Sequence, residues 1–521
     1  MRSSSAALLA LTTSRALAQS VVQFELNKLL PGIHLGMPPA VGRRAFYTED
    51  VANNLTGGGY YATVSVGSPG QDMTMVLDTG SSDVWVVSYK ADLCTSARLQ
   101  AYYMDSCGAT YNPNKSTTYQ PVDPGGFSIT YLDGGGAEGD YISDDFSIAG
   151  VTVKSLQMGY GTAISRGTGI IGVGFPGNEA ASTQYPNIID LLVSQGDIST
   201  RAYSLYLNDL RSSSGSILFG GIDTDKFIGP LSVLPILKTP SQTNYTAFQV
   251  ALNGMSAGFK NGSSVSIPAT QKNLPAILDS GTTLSYLPDD MATDLFDAVG
   301  AYTDNSVTGF TFVDCKYLDD SADTFSINFT FTSGVQLAVP AEEMILDVLD
   351  GIAGSLPKSI PFSDPCLFGI QSSGSASSKR SEHLRRQTAN GNFALLGDTF
   401  LRSAYVVYDL ANAQIGIAPA NLNSTDTKIT ELTGDKTALA SFSGVASQQT
   451  TATPTPTNAA SGGAGSSSPT GTSDGGQVTV TVTTGAQPKN NAGQDTRVPA
   501  FELFAVASVT GVFVLLGGLM L

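Results

Sequence analysis

Histidine is the scarcest chemically useful residue in this chain: there are two in 521 residues, His34 and His383. Neither stands in a nucleophile motif or an HExxH arrangement. Serine and cysteine hydrolases built on a histidine base are therefore excluded, as are zinc enzymes of the HExxH kind. Cysteine is almost as sparse. The four, Cys94, Cys107, Cys315 and Cys366, show no CxxC spacing that would support a zinc site, and as disulfides they allow three connectivities. Positive charge is also short: 27 Lys and Arg stand against 44 Asp and Glu, a formal net charge of -17. Such a surface repels a phosphate backbone, so no nucleic-acid partner is expected. An acidic surface sheds charge as pH falls, which suits a protein working in acid and equally one that is simply soluble. Any hydrolysis is left to carboxylates, with no metal or cofactor expected.

What the chain does have is a doubled motif. VLDTGSSDVW runs from Val76 to Trp85, and a second version, ILDSGTTLSY, runs from Ile277 to Tyr286, 201 positions later. In each copy an apolar run delivers an Asp, a hydroxyl residue, a Gly and a second hydroxyl residue. These are Asp78, Thr79, Gly80 and Ser81, then Asp279, Ser280, Gly281 and Thr282. A continuous apolar run reads as a buried strand, and the Gly beyond it as the tight turn that brings backbone N–H groups back toward the Asp. Two carboxylates facing each other cannot both ionise easily and hold one proton between them. One then acts as general base on a water while its protonated partner polarises a carbonyl. Ser81 and Thr282 are placed to orient the outer carboxylate oxygens, with Thr79 and Ser280 supporting the loops. A single copy is usually an ordinary turn after a strand; two in the same register point to a catalytic pair.

Three further stretches extend the pattern: FSITYLDGG from Phe127 to Gly135, TGIIGVGF from Thr168 to Phe175, and ALLGDTFLRSAYVVYDLANAQIGIA from Ala394 to Ala418. With the doubled motif, they make the chain from about Tyr60 to Ala418 resemble the pepsin-like aspartic proteases. The resemblance implies an all-β, bilobal fold with the active site in the cleft between two related β-rich lobes. It places the catalytic pair at Asp78 and Asp279 and a flap tyrosine at Tyr131, hydrogen-bonded by Trp85. The second and third stretches would support the catalytic loops from behind. The family commonly has one disulfide per half, which favours Cys94 with Cys107 and Cys315 with Cys366. Asp133, two places beyond Tyr131, stands where several fungal relatives carry an Asp that admits Lys or Arg at P1 through a charge-assisted hydrogen bond; it is otherwise a turn former beside Gly134. Leu132 departs from the Gly of many relatives.

The order of domains follows composition. Residues 1–18, ending Ala16-Leu17-Ala18, read as a signal peptide. Residues 19–44, ending in Arg43-Arg44, read as a short propeptide removed by a dibasic-specific processing protease, with Lys28 available to pair with the catalytic carboxylates; an unprocessed extension is the alternative. The catalytic lobes are expected at 45–213 and 214–425, with short strands throughout and helical periodicity at Ile188 to Gln195. From Asp to supporting Gly is 94 positions in the first half (78 to 172) and 118 in the second (279 to 397). The Ser-, Lys- and Arg-rich piece 372–392 accounts for most of that difference and reads as an exposed insertion open to nicking. Residues 426–491, rich in Ser and Thr, read as a disordered stalk. Residues 492–521 read as a GPI-attachment signal with its hydrophobic tail, Asn491 being the expected attachment site and a retained transmembrane helix the alternative. Sequons begin at Asn54, Asn114, Asn244, Asn261, Asn328 and Asn423. Together these features most resemble the yapsin-like, GPI-anchored proteases of fungal cell surfaces. They imply a monomer that reaches the plasma membrane or wall through the secretory pathway and cuts polypeptides. An inactive pepsin-like binding module and a wall-structural glycoprotein are the competing classes.

Overall fold

The computed structural model describes residues 21–28, 59–103, 105–131, 135–212, 214–239, 242–305, 308–319, 324–349, 356–374 and 392–448. All of these belong to one compact unit. The signal peptide, most of the propeptide with Arg43 and Arg44, Asn54, Asp133, residues 375–391 of the insertion, the chain from 449 onward and Asn491 lie outside the described residues.

The architecture is the expected one: β-rich throughout, in two related lobes. In the first lobe the strand Tyr60–Val66 alternates buried and less buried positions and pairs antiparallel with Gln71–Asp78. That second strand ends in Met75, Val76 and Leu77, all buried, which drives its last turn into the core. Ile170–Gly172 lies parallel to it, with Val76 opposite Ile170 and Asp78 opposite Gly172. Val84–Val87 then pairs antiparallel with Ile170–Gly172. The second lobe repeats the arrangement: Leu274–Leu278 is parallel to Ala394–Leu396, and Ser285–Leu287 is antiparallel to it. In both lobes, therefore, a strand from far along the chain is threaded between the strand that delivers the Asp and the strand that leaves it.

A thirteen-stranded sheet begins in the first lobe and continues through Val22–Lys28, Ser214–Phe219, Ala202–Tyr206, Ala404–Asp409 and Gln414–Pro419 to Ser232–Pro235. The strand Val22–Lys28, from the expected propeptide, lies inside this sheet. It pairs over six residues with Ser214–Phe219 on one side and with Tyr60 and Tyr61 on the other. The Lys28 side chain lies outside the described residues.

Helices are few. Ile188–Ser194 falls where the periodicity placed it, capped by the Asn187 side chain accepting from Ile189 N and Asp190 N. The longest helix among the described residues, Asp289–Val299, was not singled out. It buries Met291, Leu295, Phe296 and Val299 and ends at Gly300, whose φ of 71° closes the helix without Cβ strain.

The expected stalk boundary at 426 is too early. Ile429–Glu431 pairs with Gly221–Asp223, and Ser443 and Val445 bridge to Pro230 and Ile228. Leu432 and Leu439 are 4% and 1% exposed, packed with Ile222, Phe227 and Tyr405. Two buried leucines together with this pairing hold the strap in place, although composition alone assigns it to the stalk.

Candidate active site

Each Asp sits at the end of its buried strand, and the two loops are locked together crosswise. Thr79 Oγ1 donates to Leu278 O at 2.9 Å, and Ser280 Oγ donates to Leu77 O at 3.0 Å. The backbone completes the exchange: Ser280 N donates to Thr79 Oγ1 at 2.9 Å and Thr79 N to Ser280 Oγ at 3.3 Å. All four bonds are buried and join residues about 200 apart in sequence, so they fix one lobe's loop against the other's.

The carboxyls are held symmetrically. Asp78 Oδ1 accepts from Gly80 N at 2.7 Å and Oδ2 from Ser81 Oγ at 2.5 Å. Asp279 Oδ1 accepts from Gly281 N at 2.8 Å and Oδ2 from Thr282 Oγ1 at 2.8 Å. The two residues are only 5% and 6% exposed. Burial, and after it the negative charge of Asp78, raises the Asp279 carboxyl well above the ordinary carboxylate range. The pair therefore keeps a single proton where exposed carboxyls would have lost theirs.

The glycines serve a second purpose beyond the turns that return their N–H groups to the Asp. Neither Gly80 nor Gly281 has φ in the left-handed region. A Cβ on Gly80 would lie 2.6 Å from Asp279 Oδ1, and one on Gly281 would lie 2.3 Å from Asp78 Oδ1. Each glycine is the surface against which the other lobe's carboxyl rests. Gly172 and Gly397 back the loops in the same manner, with no room for a Cβ beside the backbone of Asp83 and of Thr282.

Above the pair, Trp85 Nε1 donates to Tyr131 Oη at 2.7 Å. Burial and then the charge of Asp78 push the Tyr131 phenol up, so it stays protonated. A family model for eukaryotic aspartyl protease matches residues 59–420. The chain belongs to this family.

Relatives agree with the match. Over 399 residues the chain is 38% identical to the probable aspartic-type endopeptidase OPSB of Arthroderma benhamiae, covering 75% of each protein. It is 39% identical over 388 residues to the probable aspartic-type endopeptidase opsB of Aspergillus fumigatus, covering 72% of this chain and 71% of that one. Secreted aspartic protease 8 of Candida albicans is 35% identical over 362 residues, covering 70% and 76%. This aspartyl protease is thus an aspartic-type endopeptidase with the pepsin-like fold.

Bridges join Cys94 to Cys107 and Cys315 to Cys366, leaving no free cysteine for a metal. Asn114, Asn244, Asn261 and Asn423 are exposed, and Asn328 is partly buried within the strand Phe325–Phe331. Three residues of this protease had gone unremarked. Asp83, fully buried, accepts from Tyr141 Oη, Tyr185 Oη and Ala180 N at 2.8, 2.7 and 2.8 Å. Asn178 Nδ2 donates to Gly80 O at 3.2 Å, tying the same loop to the motif. Glu179, whose carboxyl accepts from Tyr185 N, is pushed up to about 8 by burial, with Asp83 and Asp190 adding to the shift. Only Asp83 carried a signal, as the last acid of DTGSSD.

Proposed function

We propose that this endopeptidase is a secreted, cell-surface enzyme of yapsin-like character in which Asp78 and Asp279 activate a water between them. The observation that carries the reading is the crosswise seating of each carboxyl on the opposite glycine. It turns the Oδ1 edges toward each other, while Ser81 and Thr282 occupy the outer oxygens. The pair starts with one proton, on Asp279. Asp78 takes a proton from water as the water oxygen bonds to the scissile carbonyl carbon, and Asp279 gives its proton to the carbonyl oxygen. Collapse of the resulting diol breaks the C–N bond. Asp78 returns its proton to the leaving nitrogen and Asp279 recovers one from the diol, so the pair ends as it began. Tyr131 closes over the extended polypeptide and excludes water.

Asp133 gives the S1 pocket a preference for Lys or Arg, since a carboxylate facing an ammonium or guanidinium gains a charge-assisted bond. A name among the relatives, secreted aspartic protease, supports the secretory route. The signal-like start, the sequons and the C-terminal tail support delivery of a monomer to the surface on a GPI anchor at Asn491. Processing by a dibasic-specific protease at Arg43-Arg44 would release residues 19–44 as a propeptide.

The test is cleavage of a mixed peptide library in mild acid by the processed enzyme ending after Gln448, beside Asp78→Asn and Asp133→Thr. Cuts after Lys or Arg that vanish with the first variant and move to apolar P1 residues with the second support both assignments. Unchanged P1 choice with Asp133→Thr overturns the specificity reading, and wild-type silence overturns the dyad.

A further inference from the structure

Tyr131 is restrained at two places. Trp85 fixes the hydroxyl edge of the ring, and the guanidinium of Arg166 lies over its face, 5.0 Å from the centroid. A planar cation over an aromatic face gains from the ring quadrupole and resists tilting of the ring.

Arg166 is itself held in a short bracket, Ser165-Arg166-Gly167, whose ends are tied to different elements. On one side Ser165 N donates to Gly136 O at 3.0 Å and Gly136 N to Ser165 Oγ at 2.7 Å. Gly136 opens the strand Gly136–Ile148, which pairs with the strand leading into Tyr131. On the other side Gly167 N donates to Asp105 Oδ2 at 2.7 Å, and Gly108 N donates to Gly167 O at 3.0 Å. Asp105 and Gly108 flank Cys107, which the disulfide ties to Cys94. A Cβ on Gly167 would lie 2.0 Å from Ser106 O, so the bracket lies flat against this loop.

We propose that Arg166 is a positioning residue for catalysis. Through it, the loop closed by Cys94 and Cys107 sets where Tyr131 sits over the catalytic pair. The inference rests on the reading that Tyr131 closes over the substrate, and it adds that the disulfide-closed loop and the flap act as one unit.

The test uses the full chain from a secretory host, with Arg166→Met, Arg166→Lys and each of these combined with Tyr131→Ala. Trp85 is the only tryptophan in the sequence, so its fluorescence reports the Tyr131 contact directly and without turnover. Arg166→Met is expected to lower kcat about 3- to 30-fold, the range a partly buried cation–ring contact supplies, with a smaller change in KM. Arg166→Lys restores part of the loss, because an ammonium lacks the planar stack. Trp85 becomes more open to acrylamide quenching at an unchanged thermal midpoint. In the Tyr131→Ala background, neither Arg166 substitution lowers kcat further. The proposal is overturned if Arg166→Met keeps wild-type kcat and quenching, or if its loss is undiminished when Tyr131 is absent. Wild-type inactivity with normal fluorescence responses to Arg166→Met would count against the catalytic reading of the dyad and leave the positioning contact standing.

Discussion

Replacing Gly281 by Ala probes the site through a single methyl group. The backbone at 281 accepts Ala, since its φ is not left-handed. The new Cβ meets Asp78 Oδ1 at 2.3 Å and Asp78 Cγ at 2.6 Å, whereas ordinary contact begins near 3.4 Å. Relief requires the Asp78 carboxyl to retreat by about 1 Å, a displacement that costs on the order of 100-fold in rate when reacting groups are misplaced. Strain of this kind costs about 1–3 kcal/mol in stability. Separation also weakens the repulsion that Asp78 adds to the burial of Asp279, so the proton is lost at lower pH. The assay is kcat/KM against pH on a fluorogenic peptide, with thermal midpoints alongside. The expected outcome is a rate down about 100-fold and a high-pH limb moved toward acid. Gly108→Ala, whose nearest neighbour would be 3.8 Å away, serves as the control. A Gly281→Ala enzyme with wild-type rate and limb would refute the crosswise packing as the feature that sets dyad geometry.

Other perturbations read other parts of the fold. Arg402 and Glu343 form a buried ion pair at 2.8 Å, and Glu343 also accepts from Leu210 N. Glu343→Leu leaves a buried charge and is expected to cost about 3–5 kcal/mol in urea unfolding, much of it recovered when Arg402→Met is added; no loss in the single variant would contradict this. Glu179 has its folded pKa raised from 4.5 to about 8. Its stabilising contribution is therefore complete below 4.5 and lost as pH rises through about 8. Thermal midpoints of Glu179→Gln should decline less steeply across that window, and parallel curves would count against the burial argument. Ending the chain at Thr425 rather than Gln448 removes Leu432 and Leu439 from the core, a loss on the order of 3–6 kcal/mol for the two. Equal melting of the two truncated proteins would show the strap to be dispensable.

The dyad was legible because it is written twice, and two apolar runs ending in the same four residue types carry more information than either alone. Helix Ile188–Ser194 was legible from its period. The crosswise bonds were not: Thr79 and Ser280 are plain hydroxyl residues in sequence, and only the apposition of the lobes gives each its partner. Gly80 and Gly281 were legible as turns that return an N–H to their own Asp, but not as the surface on which the opposite carboxyl rests, since a turn is local while that carboxyl comes from the other lobe. Arg166 belongs to no motif, because a stack on a ring depends on where a loop lies and not on spacing. The strap at 426–448 escaped notice because its apolar residues are few and widely spaced among polar ones.

The strand Val22–Lys28 precedes Arg43-Arg44 in the chain yet fills an interior place in the thirteen-stranded sheet. A cut at the dibasic pair would not by itself remove it, but would change the strand from a part of the polypeptide into a bound peptide. Its occupancy would then follow mass action: dilution would favour release, and added synthetic peptide would favour rebinding. The vacated place, bordered by Ser214–Phe219 and Tyr60–Val66, would expose two unpaired strand edges. Maturation in such a molecule is a question of a dissociation constant as well as of a severed bond.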